Sequence, residues 1–270
     1  MDRRGEQAMK YVDAHIHLSD EEYANCIEEV VAEAERSEVV AALSNSMDLK
    51  TSVRSLELAK QFPGKIYAAL GIHPWTVRKL GEDEHQQTLS LMKDHSGDQA
   101  FVAIGEIGLD FKYMDIWDKQ LRVFDSMLHA AEELGLPVII HSRGTTTQIV
   151  DMLPSYNIKK VLLHWFSNPI SVLPKAVERG YYISEGAPVV YSNGIRDVVK
   201  KVPLANLLTE TDGPVRFFKA PFKGKRTTSA MIPIIVNAIA ELQGLTPESV
   251  AEHVAKNFED LFGIKLDLMG

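Results

Sequence analysis

Eight short apolar runs, rich in Val, Ile and Leu, recur along the chain near residues 10–14, 39–44, 66–71, 101–107, 137–141, 160–164, 181–184 and 207–211. Each is bounded by polar residues or glycine and is too short for a core helix, so each reads as a strand buried on both faces. Most of the gaps carry helical periodicity, as at 21–35, 49–60, 120–134 and 173–179. The segment Glu133-Leu-Gly135-Leu-Pro137 ends one helix on a glycine and starts the next strand two residues later. Strands alternating with helices imply right-handed crossovers and a parallel sheet, and eight such units predict closure into an α/β fold of the (β/α)₈ TIM-barrel type. After the eighth run come two helical stretches, 230–243 and 247–262; Thr246 is suited to cap the second, with Pro247 at its first position and Glu248 following. With no linker, repeat or low-complexity tract in 270 residues, a single domain over 1–270 is expected.

Six potential metal ligands stand at or just past the ends of these runs: His15, His17, Glu106, His141, His164 and Asp212. Strand residues two apart point the same way, so His15 and His17 can approach one ion together. Glu106 follows Val102-Ala-Ile-Gly105, where a buried carboxylate is costly unless paired or metal-bound. An internal salt bridge would explain it; a carboxylate bridging two cations explains it better. The turn Asp212-Gly-Pro214 could by itself account for an aspartate, yet a carboxylate there can also touch metal and take a proton from an attacking water. Asp110 is placed to orient a ligand, and Asp13 carries no assigned role. His73 and Arg143 lie just outside the ligand set. The Arg143 fork suits bidentate phosphate recognition, against the alternative of a structural ion pair, and His73 could otherwise be a turn histidine packed on Pro74. The other four histidines, His85, His95, His129 and His253, fall in helical or loop segments and read as surface or packing residues. Strand ends of one hand share one rim of a barrel, so four imidazoles and two carboxylates there describe a two-metal hydrolase.

A net charge of −8 excludes nonspecific coating of nucleic acid but not chemistry on phosphates, where a metal pair supplies local positive charge. One stretch runs the other way: residues 216–226 (RFFKAPFKGKR) hold five basic residues, no acidic one and three phenylalanines. The lone Cys26 rules out an internal disulfide framework and fits a reducing compartment. Residues 1–10 lack a signal-like apolar stretch and no run reaches a membrane span, so a cytoplasmic protein without a membrane or an obligate protein partner is expected.

The assembled residues closely resemble the TatD family of metal-dependent deoxyribonucleases, within the amidohydrolase-like barrels. The matching blocks run in order along nearly the whole chain: Asp13-Ala-His-Ile-His-Leu18, Ala69-Leu-Gly-Ile-His-Pro74, Ile104-Gly-Glu-Ile-Gly-Leu-Asp110, Pro137-Val-Ile-Ile-His-Ser-Arg143, His164-Trp-Phe-Ser167, Leu207-Leu-Thr-Glu-Thr-Asp212, Lys223-Gly-Lys-Arg226 and Asn257-Phe-Glu-Asp-Leu-Phe262. The resemblance implies one divalent ion on His15, His17 and Asp212, a second on His141 and His164, Glu106 shared between them, and His73 with Arg143 gripping substrate phosphate. Asp212 and Glu106 become the catalytic carboxylates. The implied activity is hydrolysis of DNA phosphodiesters, as an exonuclease on single-stranded ends whose bases stack on aromatics such as Trp75, Trp165 or the 217–222 group. The donor set suits Zn²⁺, Mn²⁺ or Fe²⁺, with Mg²⁺ possible. Hydrolysis of a lactone or cyclic amide is the alternative, and a non-catalytic metal-binding scaffold a second. The chain departs from the family pattern at Gly144, Asn168, Gly213 and Arg226-Thr-Thr228, all where substrate meets the rim.

Overall fold

All eight apolar runs are strands of one parallel sheet in the computed structural model, which describes residues 9–81, 83–167 and 169–266. Asn168 and residues 1–8 of the segment read for a leader lie outside the described residues. The strands are β1 (Tyr11–Ile16), β2 (Val39–Asn45), β3 (Ile66–Leu70), β4 (Phe101–Asp110), β5 (Val138–Arg143), β6 (Val161–Leu163), β7 (Tyr182–Glu185) and β8 (Leu207–Thr209), paired in chain order. Beyond the last pairing, the chain after β8 returns to β1. Asp212 N donates to His15 O at 2.9 Å and His17 N to Gly213 O at 2.8 Å. These bonds close the barrel at the residues singled out as ligands.

Helices α1 (Ile27–Arg36), α2 (Leu49–Gln61), α3 (Glu84–Asp94), α4 (Trp117–Leu134), α5 (Thr146–Met152), α6 (Leu173–Glu178), α7 (Asn193–Val199), α8 (Ile232–Gln243) and α9 (Pro247–Phe262) form the outer layer. The expected helix over 21–35 is split: a single 3-10 turn, Glu21–Tyr23, starts where Asp20 accepts from Glu22 N, and α1 begins afresh after Cys26. Helix α4 shows how the layers are joined. Its inner face presents Phe124, Met127 and Leu128, at most 1% exposed, each worth about 1.5–3 kcal/mol on burial. It stops at Gly135, whose φ of +66° an L side chain resists. Thr246 caps α9 by accepting from Ser249 N, with Pro247 at the first position. Among the described residues no single helix is long and apolar enough to cross a membrane. Residues Ser229–Gln243 with Pro247–Phe262 pass by length and composition only as a pair bent by 110°, and their apolar faces are packed in the core.

One irregularity positions the site. The register of β4 against β5 slips between Ile104 and Ile107, so one extra residue bulges there. The bulged backbone leaves the ladder and pairs with the end of β2, Glu106 N donating to Ser46 O at 3.0 Å. The approach is close: a Cβ on Gly105 would lie 2.8 Å from the Ile139 Cβ, and one on Gly71 2.7 Å from the Gly105 carbonyl carbon. Gly108 is tighter still. It sits at φ +152° opposite His141, and a Cβ there would fall 2.0 Å from the His141 carbonyl oxygen. Gly108→Ala should therefore destabilise the barrel by at least about 2 kcal/mol. In thermal melts this reads as a drop on the order of 5 °C or more. An unchanged melting temperature would contradict the close approach.

Candidate metal centre

Glu106 lies in the middle of five imidazoles. Its side chain, 2% exposed, turns Oε2 toward His15 Nε2 and His17 Nε2, both at 3.2 Å. Its Oε1 faces His164 Nε2 at 2.8 Å, His141 Nδ1 at 2.9 Å and His73 Nε2 at 3.0 Å. On the Oε2 side, Asp212 Oδ1 stands 3.4 Å from His15 Nε2 and 3.5 Å from His17 Nε2, and those two nitrogens are 3.3 Å apart. Ligand atoms about 2.1 Å from one ion, at right to tetrahedral angles, lie about 3.0–3.4 Å from each other. The observed separations match. Among the described residues three groups have the spacing to hold a divalent ion: His15 with His17 and Asp212, His15 with Glu106 and His164, and His73 with Glu106 and His141.

The far nitrogens sort these imidazoles. His17 Nδ1 lies 3.0 Å from Asn45 O and His141 Nε2 3.1 Å from Asp110 Oδ2. Those oxygens only accept, so in the neutral ring that an ion would bind the proton sits on the far side and a lone pair faces Glu106. His73 is the reverse: its Nδ1 accepts from Trp75 N at 3.0 Å, which puts the proton of the neutral ring on Nε2, donating to Glu106. It has the spacing of a ligand without the lone pair. Asp110, the expected ligand-orienting carboxylate, also accepts from Trp75 Nε1 at 2.6 Å and Lys112 N at 2.8 Å. Arg143 ends β5 exposed and forms no ion pair among the described residues. His85, His95, His129 and His253 make local contacts on helices and loops away from the cluster, as the sequence reading expected.

Sequence reasoning left several residues without a role. Asp13, fully buried, accepts from Thr211 Oγ1 at 2.6 Å, Ser229 Oγ at 2.8 Å and Thr211 N at 3.1 Å, tying β1 to the chain after β8. Glu210, its Oε2 accepting from Ser184 Oγ, stands behind His164 with Oε1 3.5 Å from Nδ1. Glu185 ends β7 with both carboxylate oxygens buried and unpartnered among the described residues, and burial beside Glu210 pushes its carboxyl well up. The argument that singled out Glu106, a carboxylate in an apolar strand, applies equally to Glu185 and Glu210. Two of the departures have steric causes. A Cβ at Gly213 would meet the Tyr23 hydroxyl at 2.3 Å, and one at Gly144 would meet the Phe111 ring at 3.0 Å.

Protons and cations compete for these nitrogens. Burial works against charge on Glu106, yet His73, His164 and His15 hold its carboxyl well below the usual range. Asp212 is held low in the same way, its burial outweighed by His15 and His17. Burial disfavours a charged His17, but Asp212 and Glu106 push it up to about 10, and Glu106 and Glu210 likewise raise His164. At His73 burial wins, and the ring is pushed down to about 4. A raised His17 stabilises the metal-free fold fully below the unfolded value near pH 6.5, and that contribution is lost as pH rises toward 10. A divalent ion must displace such protons to bind, so its grip strengthens as pH rises. The rise in melting temperature on adding Mn²⁺ or Zn²⁺ to stripped protein should therefore grow between about pH 6 and about pH 8.5. A flat or falling gain would contradict this competition.

The family model for TatD-related DNases matches residues 12–263. The metal-dependent hydrolase YabD of Bacillus subtilis is 33% identical over 261 residues, covering 93% of this chain and 98% of its own. Human deoxyribonuclease TATDN3 is 30% identical over 262 residues, covering 93% and 94%. The crystal structure of the TatD homologue YJJV from Escherichia coli superposes with a TM-score of 0.88 at 27% identity, covering 95% of this chain and 99% of that one. A lactonase from Listeria monocytogenes, at 11% identity and a TM-score of 0.63, shares the fold alone. The chain belongs to the TatD family of metal-dependent hydrolases.

Proposed function

We propose that the protein hydrolyses phosphodiester bonds of DNA, acting at single-stranded ends, with divalent ions held on the two sides of Glu106. His15, His17 and Asp212 would hold one ion, His141 and His164 the other, and Glu106 would give one oxygen to each. Bound there, the ions supply positive charge to the phosphoryl oxygens and acidify the attacking water. The protein's own groups do the rest. Asp212, whose side chain is 12% exposed against 2% for Glu106, is the carboxylate that reaches the water and takes its proton. Neutral His73 donates Nε2–H to Glu106 Oε1 or to a phosphate oxygen beside it. Asn45 and Asp110 keep the imidazoles of His17 and His141 turned inward.

One observation carries the step from hydrolase to phosphodiesterase. Arg143 leaves the rim with its guanidinium exposed and unpaired among the described residues, on the strand next to Asp110. A planar fork without an internal partner is suited to two oxygens of a phosphate. The description of the human relative as a deoxyribonuclease supports the same substrate. The free Cys26 suits a cytoplasmic setting, and the described chain is read as one working domain.

The test compares Arg143→Ala and Arg143→Lys on labelled single-stranded DNA and on a panel of uncharged lactones, using metal-stripped protein resupplied with single ions. Losing a charge-assisted phosphate contact should lower kcat/KM on DNA by roughly ten- to hundredfold, with Lys recovering only part. Lactone hydrolysis, where present, should change little. Equal losses on both substrates would make Arg143 a structural residue, and lactone turnover without DNA cleavage would favour the carbon–oxygen hydrolase instead.

A further inference from the structure

The basic stretch that leaves β8 is held by its own small apolar core. Phe217 and Phe222 are buried with Ala187 and Met231, separately from the main core, and Trp165 packs against them. The Phe217 ring lies 6.1 Å from Trp165 and 5.9 Å from Phe222, and Trp165 directly follows His164. Val215 N donates back to Asp212 O at 3.0 Å. The loop is thus fastened at its start to Asp212 and to the residue after His164, and its two buried phenylalanines anchor it. Between those anchors Phe218 is 81% exposed, the most exposed large apolar side chain among the described residues.

The charges around Phe218 are not all engaged. Arg216 pairs with Glu22 and Arg226 with Glu29, while Lys219 lies over the Tyr191 ring at 5.2 Å. Lys223 and Lys225 are exposed and have no acidic partner among the described residues. Across the barrel mouth, Trp75 is 41% exposed, its ring 4.9 Å from His73. Exposed aromatic rings thus follow both β3 and β8, two of the strands whose ends carry the clustered residues. Exposing a phenylalanine on an anchored loop is unfavourable in water, and it is beside free ammonium groups that a polyanion carrying flat rings would cover it.

We propose that Phe218 is a stacking platform for an unstacked nucleobase flanking the phosphodiester that is cut, with Lys223 and Lys225 holding the neighbouring phosphates. The inference rests on the phosphodiester reading and adds to it the requirement for a base. A strand whose bases are splayed can lay one on Phe218 while its phosphate meets the metal centre; a stacked duplex cannot without unpairing. Stacking is indifferent to which base is present, so the platform selects for single-stranded character rather than sequence.

The experiment uses metal-loaded wild type, Phe218→Ala, Phe218→Leu and Phe218→Trp. Substrates are a labelled single-stranded oligonucleotide and a matched one with abasic tetrahydrofuran residues on both sides of the cut bond. Phe218→Ala should lose about five- to hundredfold in kcat/KM on the base-bearing strand and stay within about twofold of wild type on the abasic one. Phe218→Trp should restore activity and Phe218→Leu should not, because leucine is apolar without a π face. Melting temperature should be unchanged, since the side chain is outside the core. Replacing both Lys223 and Lys225 by Ala should lower activity on both strands alike and flatten its salt dependence. Equal loss of Phe218→Ala on the two strands, or no loss on the base-bearing one, overturns the platform alone. Wild type that cuts neither strand overturns the phosphodiester reading and the platform with it. Loss of binding to anionic vesicles in Phe218→Ala, with unchanged DNA kinetics, would assign the loop to a membrane surface and likewise overturn the platform.

Discussion

A carboxylate 1% exposed in the middle of a barrel is the constraint on which the rest of this structure turns. Removing Glu106 from water costs several kcal/mol unless positive charge is returned to it, and five imidazole nitrogens within 3.2 Å are arranged to do so. Its two oxygens divide those nitrogens two against three. That division is why the site suits two cations rather than one salt bridge, and no Arg or Lys approaches it within ion-pairing distance among the described residues. The β4 bulge, the glycines at 71, 105 and 108 and the clasp from Ser46 all serve to bring this one side chain inward.

A second layer keeps the candidate ligands from turning away. Acceptors stand behind His17 and His141, and Asp13 ties β1 to Thr211 and Ser229 where the barrel closes. Two residues outside glycine hold left-handed backbone here, Asp212 at φ +53° and Trp165 at φ +39°. An aspartate tolerates that region; a tryptophan does so only where its surroundings hold it, and the small core under the post-β8 loop supplies the hold. Strain at the rim and the apolar cluster above it are parts of one arrangement that presents His164 and Asp212 at fixed angles.

The barrel and the clustering of the candidate ligands were legible because both depend on contrast within short windows. Apolar runs stand out from their flanks, and a titratable residue stands out in an apolar run. What was hidden depends on neighbours far along the chain. The bulge at Gly105–Glu106 becomes visible only against Ile139 and Ser46, and the acceptor for His17 is a backbone carbonyl at Asn45 that no side-chain pattern marks. Helices α3, α5 and α7 escaped because the first is largely polar and the other two span seven residues each, too short for a clear period. His73 was placed with Arg143 as a phosphate contact. Its ring also faces Glu106 from the β3 side, a proximity set by barrel closure rather than by anything in Gly71-Ile-His-Pro74.

The bridging position of Glu106 is tested most directly by counting ions. Metal-stripped protein titrated with Mn²⁺ or Zn²⁺ and followed by calorimetry and elemental analysis should bind two ions per chain, and Glu106→Ala should weaken both together and abolish hydrolysis, because one carboxylate serves both sites. A variant that keeps one ion at wild-type affinity, or keeps full activity, would contradict the account.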